Sequence, residues 1–278
     1  MLFHNFIQLK GFKYLIFISL FFSSSLLYSE SYSDTLYTKN YNAFKSGEFF
    51  EYKLYYGIFN ASYASLELKE ETLENKQVFR ASAIGRTTGL ARLFFKVEDL
   101  YETYFDKNLV KPLKSIRNIY EGGYVKNTET TYDYDSNKAL LYNKLTDEEK
   151  EFKFDENIQD IVSTFYYLRK HLDISKLKTG DYIYVNIFFD SENYPFKMKF
   201  LGIENLKTKF GIIECMKLNP YMEAGRVFRN NKGLELWVTN DDNRVPIKVK
   251  ANLRVGTIVA DLTTFRGLTN PFKIVIND

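Results

Sequence analysis

The chain has 278 residues with 38 basic and 35 acidic side chains, a formal charge of +3, two histidines and one cysteine. That near-balance offers no electrostatic case for nucleic acid, and one Cys with two His makes neither an internal disulfide nor a Cys/His metal cluster. The 25 Phe and 22 Tyr, against a single Trp, point first to β-sheet and second to a binding surface.

Near the start, Lys10 and Lys13 precede the apolar run YLIFISLFFSSSLLY, and Ser29, Ser31 and Ser33 follow. This is the charged, apolar, small-residue order of a secretory signal. Residues 1–29 are therefore expected to be cleaved near Ser29, leaving 30–278 as a single β-rich domain with a charge of about +1. The run from Tyr14 to Tyr28 is shorter than the roughly 20 residues a spanning helix needs, and no second such run follows. No stable membrane span is expected after cleavage. Without a cysteine near the end of the run to take a lipid, a lipoprotein is not expected either.

The next elements alternate with period two. In FFEYKLYYGIF, Phe50, Tyr52, Leu54 and Tyr56 share one face, with Glu51 and Lys53 opposite. ASLELKEETLENKQVFRASAIG reads as a hairpin that turns between Glu70 and Lys76. GRTTGLARLFF, punctuated by glycine, fits one helical turn. KVEDLYETYFD, LKSIRNIYEGGY, KNTETTYDYD and KALLYNKL then form a meander, broken at Lys111-Pro112, Gly122-Gly123 and Ser136-Asn137.

The period changes once. NIQDIVSTFYYLRKHLD sets Ile158, Ile161, Val162, Phe165, Leu168 and Leu172 at helical spacing, which predicts an amphipathic helix at about 157–172. Asn157 is the expected N-cap, and Lys170 and His171 suit the negative end of the helix dipole. Strands resume at GDYIYVNIFFD, turn at SENY and return through PFKMKFLGIE. GIIECMKLNPYM buries Cys215 as an inert thiol, and LELWVTN leads to the paired acids Asp241 and Asp242. These are expected to form a β-turn with Arg244 neutralising one acid, and Pro246, lacking an N–H, marks an edge or a strand start.

Little chemistry is visible along this path. After loss of the signal only His171 remains as an imidazole base, and its place at a helix end is that of a cation or surface residue rather than a catalyst. The loop from Asp133 fails the calcium pattern, because Lys138 and Lys144 stand where glycine and the bidentate glutamate belong. Neither GLARLFFK nor EGGYVK has the spacing of a phosphate loop. Glu98-Asp99, Glu121, Asp160 and Asp241-Asp242 are the acids from which a two-carboxylate site would have to be built. The expectation is no enzyme, no metal and no cofactor.

Several stretches in order, GEFFEYKLYYGIFNASYASLEL, KVEDLYETYFD, IYEGGY, QDIVSTFYYLR and GRVFRNNKGLELWVTNDDNRVPIKVKANLRVGTIVADL, resemble the bacterial family catalogued as domain of unknown function 3108. The resemblance covers about Ser46 to Leu262. It implies export in a bacterium with an outer membrane, hence a periplasmic protein, and a large curved antiparallel sheet, an open or half β-barrel similar to periplasmic lipoprotein carriers. It brings no catalytic residues.

A helix lying on the concave face of such a sheet encloses an apolar groove. The leading functional expectation is therefore a non-catalytic envelope protein that carries a lipid or lipidated partner in a groove lined by Tyr52, Tyr56, Tyr104, Tyr120 and Phe165. The alternative is an envelope assembly factor with a solid core. A carboxylate-dependent enzyme acting on polysaccharide ranks third.

Overall fold

The computed structural model describes residues 39–57, 59–154, 157–221, 233–253 and 256–276. The expected secretion signal, 1–29, lies outside the described residues. The elements in chain order are β1 (Phe49–Tyr56), β2 (Phe59–Leu73), β3 (Lys76–Thr87), α1 (Gly89–Phe94), β4 (Val97–Asp106), β5 (Pro112–Glu121), β6 (Tyr124–Asp133), β7 (Lys138–Asn143), β8 (Glu148–Lys153), α2 (Ile161–His171), β9 (Tyr182–Phe189), β10 (Glu192–Thr208), β11 (Gly211–Pro220), β12 (Leu234–Thr239), β13 (Pro246–Asn252) and β14 (Thr257–Arg266).

All 14 strands form one antiparallel sheet in the order β8-β7-β6-β5-β4-β3-β2-β1-β14-β13-β12-β11-β10-β9. It consists of two meanders of hairpins that meet where β1 pairs with β14, with Phe50 opposite Phe265 and Leu54 opposite Ala260. Register shifts at Glu51/Tyr52, Leu54/Tyr55, Tyr104/Phe105 and Phe200/Gly202 mark bulges, which raise the local twist and let so wide a sheet curl. Three hairpins turn through paired residues of positive φ, Glu74-Asn75, Gly122-Gly123 and Asp190-Ser191. These are the left-handed positions that match a two-residue turn to strand twist. The first turn lies inside the window expected from sequence, at its C-terminal end.

The two edge strands are joined through α2. Ahead of the helix, Gln159 makes a parallel bridge to Ile187 of β9: its N–H donates to the Asn186 carbonyl at 2.9 Å, and the Phe188 N–H donates to its carbonyl at 2.8 Å. The sheet thus curls around α2, and this strap spans the seam between its edges.

The helix starts later than its spacing predicts. Asn157 has φ +61 and lies in a turn, and Asp160 is the N-cap. The Asp160 Oδ1 accepts from the N–H groups of Val162 and Ser163, both at 2.8 Å, while the Ser163 hydroxyl accepts from the Asp160 N–H. A carboxylate meeting two free amides and a reciprocal bond caps better than Asn157, which lies too far ahead to reach them. Ile158 consequently packs outside the helix, with Tyr132, Phe154 and Phe188.

The interior around α2 is filled by rings. Phe44, Phe79, Phe105 and Tyr166 form one cluster with Leu68, Ala81 and Val162, and Phe165 packs edge-on against Phe50 in a second. Ala81 and its half-buried neighbour Ala83, small residues on the inward face of β3, leave room for the helix. Each large side chain buried here contributes about 1.5–3 kcal/mol.

Because neighbouring strands alternate in direction, their connections fall at two ends. The base carries the C-terminus of α2, the 240–245 turn and the tail. There Tyr41 N–H donates to the Lys170 carbonyl and the Asn243 amide donates to the Asn270 carbonyl. The opposite rim carries α1 and the turns at 122–123, 144–147 and 190–191.

At the base the expected role of Arg244 is corrected. Its backbone N–H, with that of Asn243, donates to the Asp241 carboxylate, so the turn is held locally as foreseen. The guanidinium makes no ion pair with either acid, keeping only a longer-range attraction to Asp242, and donates to the Arg169 and Leu172 carbonyls at 3.0 and 2.7 Å, stacking on Tyr41 at 3.7 Å. Unpaired carbonyls at a helix C-terminus inside the protein attract a cation more strongly than a solvated turn carboxylate does.

Candidate functional site

Between the seam and the N-terminus of α2 lies a small cleft, open to solvent. Strand register builds its floor as two rungs. Tyr101, Arg117 and Thr128 stand opposite one another across β4, β5 and β6, and Thr103, Ser115 and Thr130 form the next rung. Asp160 and Val162 of the helix and Phe188 and Phe189 of β9 form the other side. One wall is therefore hydroxylic and cationic, the other largely aromatic.

Arg117 is the centre of the polar wall. Its guanidinium lies 4.1 Å from the Phe189 ring and 5.5 Å from that of Tyr101, and its Nη1 donates to Asp190 Oδ1 at 2.5 Å. Lys126 binds the same carboxylate. Burial works to raise the Asp190 pKa, but Arg117 and Lys126 outweigh it and hold the carboxyl below its ordinary value. Two cations thus meet one carboxylate at this corner, with Asp160 and Glu102 also on the cleft lining.

Asp160 sits deeper. Burial pushes its carboxyl up to about 6 against the opposing hydrogen bonds, among them that of the Thr103 hydroxyl at 2.5 Å. Burial also raises the phenols of Tyr101 and Tyr132, so both remain neutral donors. Arg117 was missed by motif reasoning, which looks for clusters. The signal was present in LKSIRNIYEGGY, where alternation places Arg117 on one face with Ser115 and Ile119.

The five aromatic residues expected to line one groove occupy separate places. Tyr52 and Phe165 share the interior cluster around Phe50, and the Tyr52 hydroxyl donates to the Pro246 carbonyl at 3.0 Å. Tyr56 is at the rim, where a Cβ on Gly256 would lie 2.7 Å from its hydroxyl. Tyr104 and Tyr120 alternate with the inward Phe105 and Ile119 and so face outward, beneath Arg80 and Lys96 respectively. The cleft draws on different rings, Tyr101, Tyr132, Phe188 and Phe189.

Two of the candidate acids do converge. Asp99 and Glu121 project inward from β4 and β5, both buried, and their carboxyls hydrogen-bond to each other. Burial pushes Asp99 up to about 6. Cys215 is buried and its thiol is pushed up to about 12, so it is a poor nucleophile. Burial lowers the His171 pKa, so the ring is held as a neutral partner 3.2 Å from the Lys39 carbonyl rather than as a helix-end cation.

No curated protein matches the chain. Among solved structures, it is similar to a β-barrel-like protein of domain of unknown function DUF1849 from Brucella abortus, with a TM-score of 0.50, 7% identity, and coverage of 82% of this chain and 100% of that one. A DUF1089 family protein from Pseudomonas aeruginosa aligns with a TM-score of 0.37 and 11% identity, over 69% of this chain and 92% of the other. The first likeness concerns the fold alone, and it agrees with the curled open sheet described above. The family model described as "Protein of unknown function (DUF3108)" matches residues 51–263, most of the chain, and the protein therefore belongs to the DUF3108 family.

Proposed function

We propose that this is an exported, non-catalytic binding protein of the bacterial periplasm that holds an amphipathic ligand, an acyl chain with an anionic head or the lipidated end of a partner, in the seam cleft. The observation that carries the reading is the pairing of opposite walls. Arg117 and Lys126, both on Asp190, supply charged donors next to the Ser115, Thr128 and Thr130 hydroxyls, and Phe188, Phe189 and Val162 face them. Such an arrangement holds a polar head by charge and hydrogen bonds and a tail by contact. Export rests on Lys10, Lys13 and the apolar run that follows. The reading without catalysis is supported by the raised thiol of Cys215.

The test is organic extraction of protein purified from a secreting bacterial host, followed by mass spectrometry, alongside titration with a fluorescent fatty acid. Co-purifying lipid that is displaced by the probe is the expected result. Protein free of lipid that also ignores the probe would rule the reading out.

A second reading, an envelope assembly factor with a solid core, is favoured by the ring-filled interior around Phe44, Phe105 and Tyr166. It predicts a crosslinked envelope neighbour and an empty cleft in the same preparation.

A further inference from the structure

Helix α1 presents an unusual stripe. Leu90, Leu93 and Phe94 stand at spacing i, i+3 and i+4, which sets them on one helical face, and they are 75%, 79% and 66% exposed. In a water-facing helix that face would be turned inward, yet α1 buries none of its residues. The stripe continues beyond the helix. Phe59, at the start of β2 beside α1, is 70% exposed, and Tyr124 after the β5–β6 turn is 51% exposed. The Phe95 ring packs on Gly122 so closely that a Cβ there would lie 2.2 Å from it, which ties α1 to that turn. All five apolar side chains thus belong to the rim, and exposed apolar side chains gathered at one end mark an interaction site.

Charge indicates what the rim meets. Around the patch stand Arg86, Arg92 and Lys96, with Glu98, which Arg92 and Lys96 both bind. The surroundings are therefore net cationic. Apolar side chains projecting from a cationic collar match an anionic lipid surface, where rings and leucines enter the acyl boundary while Arg and Lys meet headgroups. A protein groove would instead cover the stripe at both sides, and the cations flanking α1 would have to be matched singly by acids.

We infer that the rim formed by α1, Phe59 and Tyr124 docks on the surface of an anionic membrane, lying in the interface without spanning it. The inference does not depend on the ligand reading of the cleft, and it assigns a surface rather than a cavity. It also orients the molecule: the rim faces the bilayer, and the base with the C-terminus of α2 faces away.

The native cysteine is buried, so a single introduced thiol can be labelled selectively. Leu93→Cys at the rim and Leu109→Cys at the base, the latter position 56% exposed, would each carry an environment-sensitive fluorophore in the full chain. Each would be mixed with vesicles of phosphatidylglycerol and phosphatidylethanolamine, 1:3, or of phosphatidylcholine alone. The expected result is a blue shift for the rim label with anionic vesicles, no shift for the base label, and at least a tenfold weaker response with phosphatidylcholine. Replacing Leu90 and Phe94 by Ser in the rim-labelled chain should weaken binding by roughly tenfold or more. Equal shifts at both labels would mean adsorption through another part of the chain and would overturn the inference. So would a rim shift that grows with protein concentration without vesicles, which would show that a second copy covers the stripe, or no rim shift at all.

Discussion

Arg169 of α2 and Glu48, just ahead of β1, form a two-point ion pair, Nη1 to Oε1 at 2.6 Å and Nη2 to Oε2 at 2.7 Å, with both side chains almost wholly removed from solvent. The same guanidinium donates to the Asn243 and Ala43 carbonyls, both at 2.9 Å, and lies over the Phe165 ring. One side chain thereby ties the helix to the N-terminal segment, the first strand and the base turn. Breaking a buried pair from one side strands the other charge. Arg169→Ala is expected to lose about 3–5 kcal/mol in urea denaturation. The double change to Arg169→Met with Glu48→Leu should recover part of that, short of wild type, because the two carbonyls still lack a donor. A loss below 1 kcal/mol for the single change would show that the pair is solvated in solution.

Arg244 closes the same end of the helix from the turn. Removing it leaves the Arg169 and Leu172 carbonyls without that donor and uncovers Tyr41. Arg244→Ala should cost about 2–3 kcal/mol, the worth of charge-assisted bonds at a buried helix terminus. Arg244→Lys keeps the charge without the planar fork and should fall between. Hydrogen exchange gives the local readout: faster exchange at the last turn of α2 is expected, with β5 and β6 unchanged.

Asp160 makes stability depend on pH in a set direction. Its folded pKa of about 6 stands above the ordinary aspartate value of 3.8, so the folded chain binds more protons than the unfolded one in that interval. The contribution is complete below the unfolded value and is lost as pH rises through about 6, to an extent on the order of 2–3 kcal/mol. Asp99, also held near 6, acts in the same direction. Asp160→Asn retains a capping side chain without the charge. Its melting temperature should match wild type near pH 4 and exceed it at pH 7, whereas Asp160→Ala should be weaker at both. A wild-type to Asn difference that stays constant across the range would contradict the burial argument.

Arg117 separates charge from packing at the cleft. Arg117→Ala should weaken binding of a fluorescent fatty acid by at least about tenfold while the near-ultraviolet spectrum of the fold is kept, since Lys126 still pairs with Asp190. Arg117→Lys should restore part of the affinity, and added salt should weaken the wild type more than the Ala variant. Unchanged affinity in Arg117→Ala would move the head-binding role elsewhere.

Much of the fold was legible because it is local. Alternation of two marks most of the strands, and a single stretch of period 3.6 marks α2; β8 is the exception, since the charged EEKEFK reads as a solvated loop and becomes a strand only by pairing with β7. Gly122-Gly123 and the SENY stretch mark turns through their tolerance of positive φ. The helix start was misplaced because Asn157 and Asp160 are both good caps by type, and only the free amides of Val162 and Ser163 decide between them. The site was less legible. Period two states that a strand has two faces but not which is inside, and here both faces carry tyrosines. Tyr104 and Tyr120 point outward, while Arg117 and Asp99 point inward.

By itself the sequence determined what neighbouring residues settle: strand and helix periods, turn chemistry, the buried character of Cys215, and the lack of a Cys/His metal cluster. The tertiary structure alone decided what lies far apart in the chain: the pairing of β1 with β14, the strap from Gln159 onto β9, and the meeting of Arg117 with Asp190 and Arg169 with Glu48. The physical reason is that backbone hydrogen bonds between strands are the same for every residue type. Which strands meet is set by the packing of all side chains at once around the helix, and no short stretch of sequence contains that information.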